Sequence, residues 1–292
     1  MNFVKLQATG NDFVLIDARG LERDWAALAR DMCHRHFGVG ADGLLLVLGS
    51  AAAPLRLRMF NPDGSEAEAC GNGLRCFARY AIEGGLADGP EFGVETISGT
   101  RIVRAEAGQS VQVGMGAPIF TAVEIPVSVA GRDPRDRSPV IDYPISVGSR
   151  DLIVSCLSMG NPHAVCFLAE PVDAFPLHEV GPQVEHHPMF PNRVNFGVVN
   201  VVSRKELSAR VWERGVGETL SCGTGACAVA VVSRLKGLSE DTVDIKLPGG
   251  ILTVTWDGAG EVLLSGPAQI VFGGEWVDQE VVRNQGMVSK EH

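Results

Sequence analysis

Leu55, Leu57 and Met59 alternate with Arg56 and Arg58, the period-two pattern of a strand with one buried face, and the run ends in a turn sequence, Asn61-Pro62-Asp63-Gly64. Residues 2–7 and 12–17 read as two strands around Thr9-Gly10-Asn11-Asp12, and Leu44–Leu48 is an apolar run of core-strand length. Asp24 is placed to cap a helix carrying Trp25, Leu28, Ala29 and Met32 on one face. Two further helical patterns follow. One runs through Leu74, Cys76, Phe77, Tyr80 and Ala81 to Gly84-Gly85, the other through Ala226, Val229, Ala230 and Val232 to Gly237. Strands are predicted at Leu152–Leu157 and Leu207–Trp212, then near 243–247, 251–256, 261–265 and 269–272. Residues 117–150 hold five prolines and a charged tip, Arg132–Arg137, and read as a crossing between domains; 171–192 is a short polar, proline-rich segment, and the tail after about 283 is polar and predicted to be loose.

The two glycine-terminated helical patterns begin alike, at Cys70-Gly71-Asn72-Gly73 and Cys222-Gly223-Thr224-Gly225. Leu55-x-x-Arg58 and Phe60-Asn61 recur 152 residues later as Leu207-x-x-Arg210 and Trp212-Glu213, while Gly10-Asn11 and Gly116 recur at 150 as Gly160-Asn161 and Gly266. A period this long marks an internal duplication, not a solenoid. Two domains of about 150 residues are also the natural division of a 292-residue chain.

Composition narrows the function. The net charge of −10 and the five lysines leave no basic patch for nucleic acid, and no apolar run approaches the ~20 residues of a membrane span. The N-terminus lacks a signal-peptide pattern, so the expected compartment is the cytoplasm. The seven cysteines include no C-x2-C pair, which argues against structural zinc and against a redox dithiol. Cys33, Cys156 and Cys166 read as small buried hydrophobes. Gly38–Gly43 spells G-x-G-x-x-G, but it follows a helix and precedes a strand, the reverse of a dinucleotide site, and is read as a turn. His34 and His36 lack metal-binding company and read as solvated or capping side chains.

Cys70 and Cys222 are different, because a buried structural thiol needs no Gly-x-Gly beside it. At a helix start, unpaired N–H groups and the helix dipole favour an anion, and can lower a thiol from about 8.5 to roughly 3.5–7.5. Homologous domains that meet about a pseudo-two-fold axis bring the thiols face to face. One thiolate can then take a proton from carbon while the opposite thiol returns one to the other face. Pyridoxal phosphate needs a Schiff-base lysine, and no lysine here sits in a marked site. The backbone at Gly71, Asn72, Gly223 and Thr224 is the alternative electron sink.

The motifs that carry this chemistry also carry a resemblance. They are Thr9-Gly10-Asn11-Asp12-Phe13, Phe60-Asn61-Pro62-Asp63-Gly64-Ser65, Cys70-Gly71-Asn72-Gly73-Leu74-Arg75-Cys76, Gly160-Asn161-Pro162-His163, Arg193-Val194-Asn195-Phe196, Trp212-Glu213-Arg214-Gly215 and Ser221-Cys222-Gly223-Thr224-Gly225. Over residues 3 to 275 the chain resembles the diaminopimelate epimerase family. The resemblance implies an α+β fold of two pseudo-two-fold-related domains, 1–117 and 118–267, each a barrel-like, mostly antiparallel sheet around a central helix. A strand near 268–280 is open to return to the first domain. The implied reaction is cofactor-independent conversion of L,L-diaminopimelate to the meso form, in lysine and cell-wall precursor synthesis. Cys70 and Cys222 are the implied acid–base pair, assisted by His163 and Glu213. Asn11, Asn61, Asn161, Asn195, Glu213 and Arg214 are implied to hold the substrate, with Gly71-Asn72 and Gly223-Thr224 cradling its carboxylate. No metal or cofactor is implied, and a homodimer is left open. Gly43 stands where some relatives carry a substrate-contacting glutamine, so that contact is not carried over.

Three rival readings remain at this point. Proline, hydroxyproline or histidine racemases share the chemistry, but a first motif with Asn72 departs from the Cys-Gly-His-Gly of proline racemases. A thiol–disulfide redox protein lacks its C-x-x-C, and a binding module without chemistry has no need of both cysteines, His163 and Glu213.

Overall fold

Parallel strands cannot be joined by a tight turn and need a crossover, usually a helix. The computed structural model describes residues 1–67, 70–131, 133, 136 and 138–277. In the first half, β1 (Asn2–Ala8) turns back into β2 (Asn11–Asp17), and α1 (Trp25–Cys33) crosses to β3 (Gly43–Leu48), parallel to β2. Then β4 (Leu55–Phe60) and β5 (Glu66–Ala67) run antiparallel, and α2 (Gly71–Glu83) crosses to β6 (Glu91–Thr96), parallel to β4. β7 (Gly99–Ala105) and β8 (Ser110–Gly114) close that half.

The second half repeats the scheme. After β9 (Val140–Val147) come β10 (Arg150–Ser158), β11 (Pro162–Phe167), α3 (Leu177–Glu185), β12 (Asn195–Ser203), β13 (Glu206–Glu213) and β14 (Gly217–Thr219). Then follow α4 (Gly223–Leu235), β15 (Thr242–Leu247), β16 (Gly250–Thr255), β17 (Leu263–Pro267) and β18 (Gln269–Glu275). β11 and β12 are parallel, as are β13 and β15; the register repeats too, with Phe13 opposite Gly43 in one half and His163 opposite Asn195 in the other. β18 returns to pair with β1, as β9 pairs with β10, and β8 pairs with β17 to make the sheet continuous between halves. The result is a two-domain α+β architecture, each domain a mostly antiparallel sheet around a central helix. We propose the division after residue 117, with β18 counted in the first domain.

Burial explains the central helices. In α4 every residue from Ala226 to Ser233 is buried, so the helix is apolar all round and enclosed by sheet. Valine is a weak helix former, by at most about 0.7 kcal/mol against alanine, but burying each one contributes about 1.5–3 kcal/mol, so burial decides. One core surrounds α2 and α4 together, and α1 and α3 each cover a separate outer cluster.

Two segments differ from the sequence reading. The proline-rich crossing is shorter, because residues 140–147 form β9. The segment 171–192 contains α3, with Pro182 inside it and Leu177, Val180 and Val184 buried. The tip residues Arg132, Pro134, Arg135 and Arg137 and the tail after 283 lie outside the described residues. Among the described residues no helix is long and apolar enough to cross a membrane.

Candidate active site

Cys70 and Cys222 are the N-caps of α2 and α4. Their backbones are extended, and their sulfurs accept hydrogen bonds from the N–H of Gly73 (3.2 Å) and Gly225 (3.4 Å). The helices end alike, with Gly85 and Gly237 in the left-handed region at φ +61° and +69°. The two N-termini meet. A Cβ on Gly223 would stand 3.8 Å from Gly71 Cα and 3.7 Å from Asn72 Oδ1, and a Cβ on Gly71 would press on Leu264 at 3.0 Å. Glycine at both helix starts leaves room for the Leu264 side chain, which a Cβ on either would crowd at 3.0–3.2 Å.

A cavity of about 960 Å³ opens over that meeting point. Cys70, Gly71, Asn72, Cys222, Gly223 and Thr224 line it, together with Asn11, Asn61, Asn161 and Glu213. The fold thus brings ten of the expected site residues, read from sequence positions 11 to 224, to one space. Asn11 is the first residue of β2, just after the β1–β2 turn, and Asn161 sits in the equivalent β10–β11 turn, while Glu213 ends β13 and accepts a hydrogen bond from Thr219 Oγ1 at 2.6 Å.

His163, Asn195 and Arg214 do not line this cavity. His163 is 2% exposed and bonds through Nε2 to Asn161 Oδ1 at 2.9 Å; Asn161 Nδ2 in turn donates to Thr224 Oγ1 at 3.3 Å. Asn195 accepts from the Arg214 N–H at 2.9 Å and donates to the Pro162 carbonyl at 2.9 Å, bracing both motifs from behind.

Other lining residues were given no site role from the sequence: Arg35, Asp42, Arg101, Met159, Thr219 and Ser221. Asp42 lies in the turn set aside above, and Arg35 lies just before it, between His34 and His36. Asn11 Nδ2 donates to Asp42 Oδ2 at 2.7 Å, and Arg35 bonds Asp42 at 2.6 Å and Asp12 at 2.8 Å. Burial pushes the Asp12 carboxyl up, but hydrogen bonds from Arg35 and Lys5 outweigh it and hold the group at about 2. The available signal was the acidic–basic content of that stretch, masked by its glycine spelling. His34 does cap: its Nδ1 accepts from the N–H groups of His36 and Phe37 at 3.2 Å. Gly43 lies in β3 away from the cavity lining, where a Cβ would meet the Phe60 carbonyl at 3.0 Å.

The thiols correct one expectation. Burial pushes Cys70 above the ordinary thiol range; hydrogen bonds from the helix N–H groups oppose it but do not overcome it, and the Glu213 carboxylate adds to the rise. Cys222 is pushed well above its ordinary value by burial first and by Glu213 second. The helix N-terminus therefore limits the rise without reversing it.

Burial, with the Arg214 charge behind it, depresses His163 to about 3, so the imidazole is neutral at working pH. The unfolded chain takes up this proton near 6.5, while the folded one does so only near 3. As pH falls through that window the unfolded state binds more protons, and stability is expected to fall by up to about 1.4 kcal/mol per pH unit from this group. Urea midpoints measured from pH 7 to 4 should show that slope, and it should flatten by one proton in His163→Gln; an unchanged slope would refute the buried neutral imidazole.

A family profile described as Diaminopimelate epimerase matches residues 3–121 and 155–271, one span in each half. The chain is 50% identical over 283 residues to a diaminopimelate epimerase of Moorella thermoacetica, covering 94% of this chain and 99% of that one. It is 48% identical to one of Desulforudis audaxviator, covering 95% and 99%. Among solved structures, a probable proline racemase from Agrobacterium radiobacter aligns with a TM-score of 0.68 at 14% identity, covering 94% of this chain and 92% of that one. A phenazine biosynthesis protein of the PhzF family from Enterococcus faecalis aligns at 0.69 and 14%, covering 95% and 99%. At such identities these structures share the fold alone.

Proposed function

The chain belongs to the diaminopimelate epimerase family and catalyses the interconversion of L,L- and meso-2,6-diaminopimelate, and we propose that Cys70 and Cys222 are the acid–base pair of this reaction. The observation that carries the assignment is the meeting of two thiol-capped helix N-termini in one cavity. The thiolate on one side removes the α-proton: the C–H bond breaks, an S–H bond forms, and the electron pair stays on the α-carbon and spreads into its carboxylate. The opposite thiol then gives its proton to the other face of that carbon. The centre inverts, and the two sulfurs have exchanged protonation states.

The negative charge that develops on the carboxylate is met by N–H groups at Gly71-Asn72 and Gly223-Thr224, where both helix dipoles point. High thiol values suit this task. An α-proton is a weak acid, and a thiolate held above its ordinary range is a stronger base for removing it. Asn11, Asn61 and Asn161 offer amides to the charged ends of the substrate, and Glu213 offers a carboxylate to an ammonium. His163 acts on Asn161, and Asn195 and Arg214 brace the same wall.

Incubation with L,L-diaminopimelate in D2O, with a thiol reductant and no added cofactor, is expected to yield meso product with deuterium at one α-carbon. Chiral chromatography and mass spectrometry read both outcomes. Turnover of proline, hydroxyproline or histidine with none of diaminopimelate would overturn the substrate while leaving the thiol pair.

A further inference from the structure

Arg75 belongs to the first cysteine motif, yet the reaction described above gives it no role. It lies in α2 with 0% exposure. Its Nη2 donates to Asn72 Oδ1 at 2.9 Å and to Thr9 Oγ1 at 3.3 Å, and its Nε reaches the Pro267 carbonyl at 3.5 Å. Nη1 has no hydrogen-bond partner, and among the described residues no carboxylate pairs with this guanidinium. Buried charges are normally paired, because removing one from water is costly. Here the cation is retained in the protein interior with only neutral acceptors around it.

What the guanidinium holds is the junction. With Asn72 Oδ1 turned toward Arg75, the Asn72 amide nitrogen donates to the Ser221 carbonyl of the other half at 3.1 Å and to Asn11 Oδ1 of its own half at 3.2 Å. Thr9, the other acceptor, shares a 2.6 Å hydroxyl hydrogen bond with Ser221. Ser221 precedes Cys222, so Arg75 fixes the contacts that set one thiol-bearing helix start against the other.

The duplication makes this charge asymmetric. A shift of 152 residues carries Cys70 onto Cys222, but it carries Arg75 onto Cys227 and Asn61 onto Glu213. The first half therefore contributes a buried cation and the second an anion, around two thiols that are otherwise equivalent. Glu213 is the leading charge on both thiols and raises each, and at Cys70 Arg75 acts against it. We propose that Arg75 is a positioning residue of the active site: it locks Asn72 across the junction and places in the first thiol-bearing helix a buried positive charge that the second helix, with Cys227 at the equivalent position, lacks. This rests on the thiol-pair reading above.

The test follows each cysteine separately, as the rate of alkylation by iodoacetamide against pH, by peptide mass spectrometry on the full chain. In the unaltered protein the Cys70 midpoint is expected below that of Cys222. Arg75→Gln should move the Cys70 midpoint up by about one pH unit and leave Cys222 nearly unmoved. The same variant should raise KM roughly tenfold through the loosened Asn72. Arg75→Lys, which keeps the charge, should retain the Cys70 midpoint while still raising KM. A Cys222 midpoint below that of Cys70 in the unaltered protein overturns the proposal even where Arg75→Gln fails to fold. So does an unmoved Cys70 midpoint in folded Arg75→Gln. Alkylation is read without substrate, so failure to epimerise diaminopimelate alongside the expected midpoints would reject the assigned reaction and not the role of Arg75.

Discussion

Cys70→Ser and Cys222→Ser are each expected to lower kcat by at least about a thousandfold, the scale of a lost general acid or base. Serine is the demanding choice here. Both cysteines are helix N-caps, and a hydroxyl caps as well as a thiol or better, so α2 and α4 keep their first-turn hydrogen bonds. What serine cannot do is ionise in the working range or return a proton as readily. The melting temperature should therefore hold within a few degrees, roughly the effect of 1 kcal/mol or less, while epimerisation stops. Steady-state turnover by chiral chromatography, with a thermal melt of the same sample, separates the two effects. Near-normal turnover in either variant would remove the two-base mechanism.

Glu213→Gln should lose about a hundredfold in turnover and shift its pH dependence in a direction the structure fixes. Burial raises both thiols, and the Glu213 carboxylate raises them further by like-charge repulsion of the thiolate. Removing that charge lowers both thiols, so a thiolate forms at lower pH. The rising limb of kcat/KM should move to lower pH by roughly one unit, even as the plateau falls through loss of the carboxylate beside the reacting centre. Glu213→Asp, which keeps the charge, should leave the limb near its original position. A limb that stays in place in Glu213→Gln would show that the carboxylate does not act on the thiols.

Much of this was legible because the chain states its architecture twice. The helix caps, the glycine stops and the strand alternation are local, and they recur at one spacing. The missed helix α3 shows both the strength of that signal and the limit of local reading. Pro176 and Pro182 obscure the helical pattern of 177–185, yet shifting α1, residues 25–33, by 152 lands on the same span. The helix is required because β11 and β12, like β2 and β3, are parallel neighbours and need a crossover.

The site divides in the same way. By itself the sequence determined which groups are chemical: a thiol beside Gly-x-Gly is recognisable from its neighbours, and so is the carboxylate that ends β13. The tertiary structure alone decided their surroundings. It drew Arg35 and Asp42 to the cavity from a stretch read as inert, and it placed His163 behind Asn161. It also reversed the expected direction of the thiols. A helix N-terminus is a local feature, visible in four residues, whereas desolvation and the charge of Glu213 depend on how distant segments close over the sulfurs. The same physics left Arg75 buried without a counter-charge, because the chain neighbours of a residue do not reveal which groups the fold will bring to it.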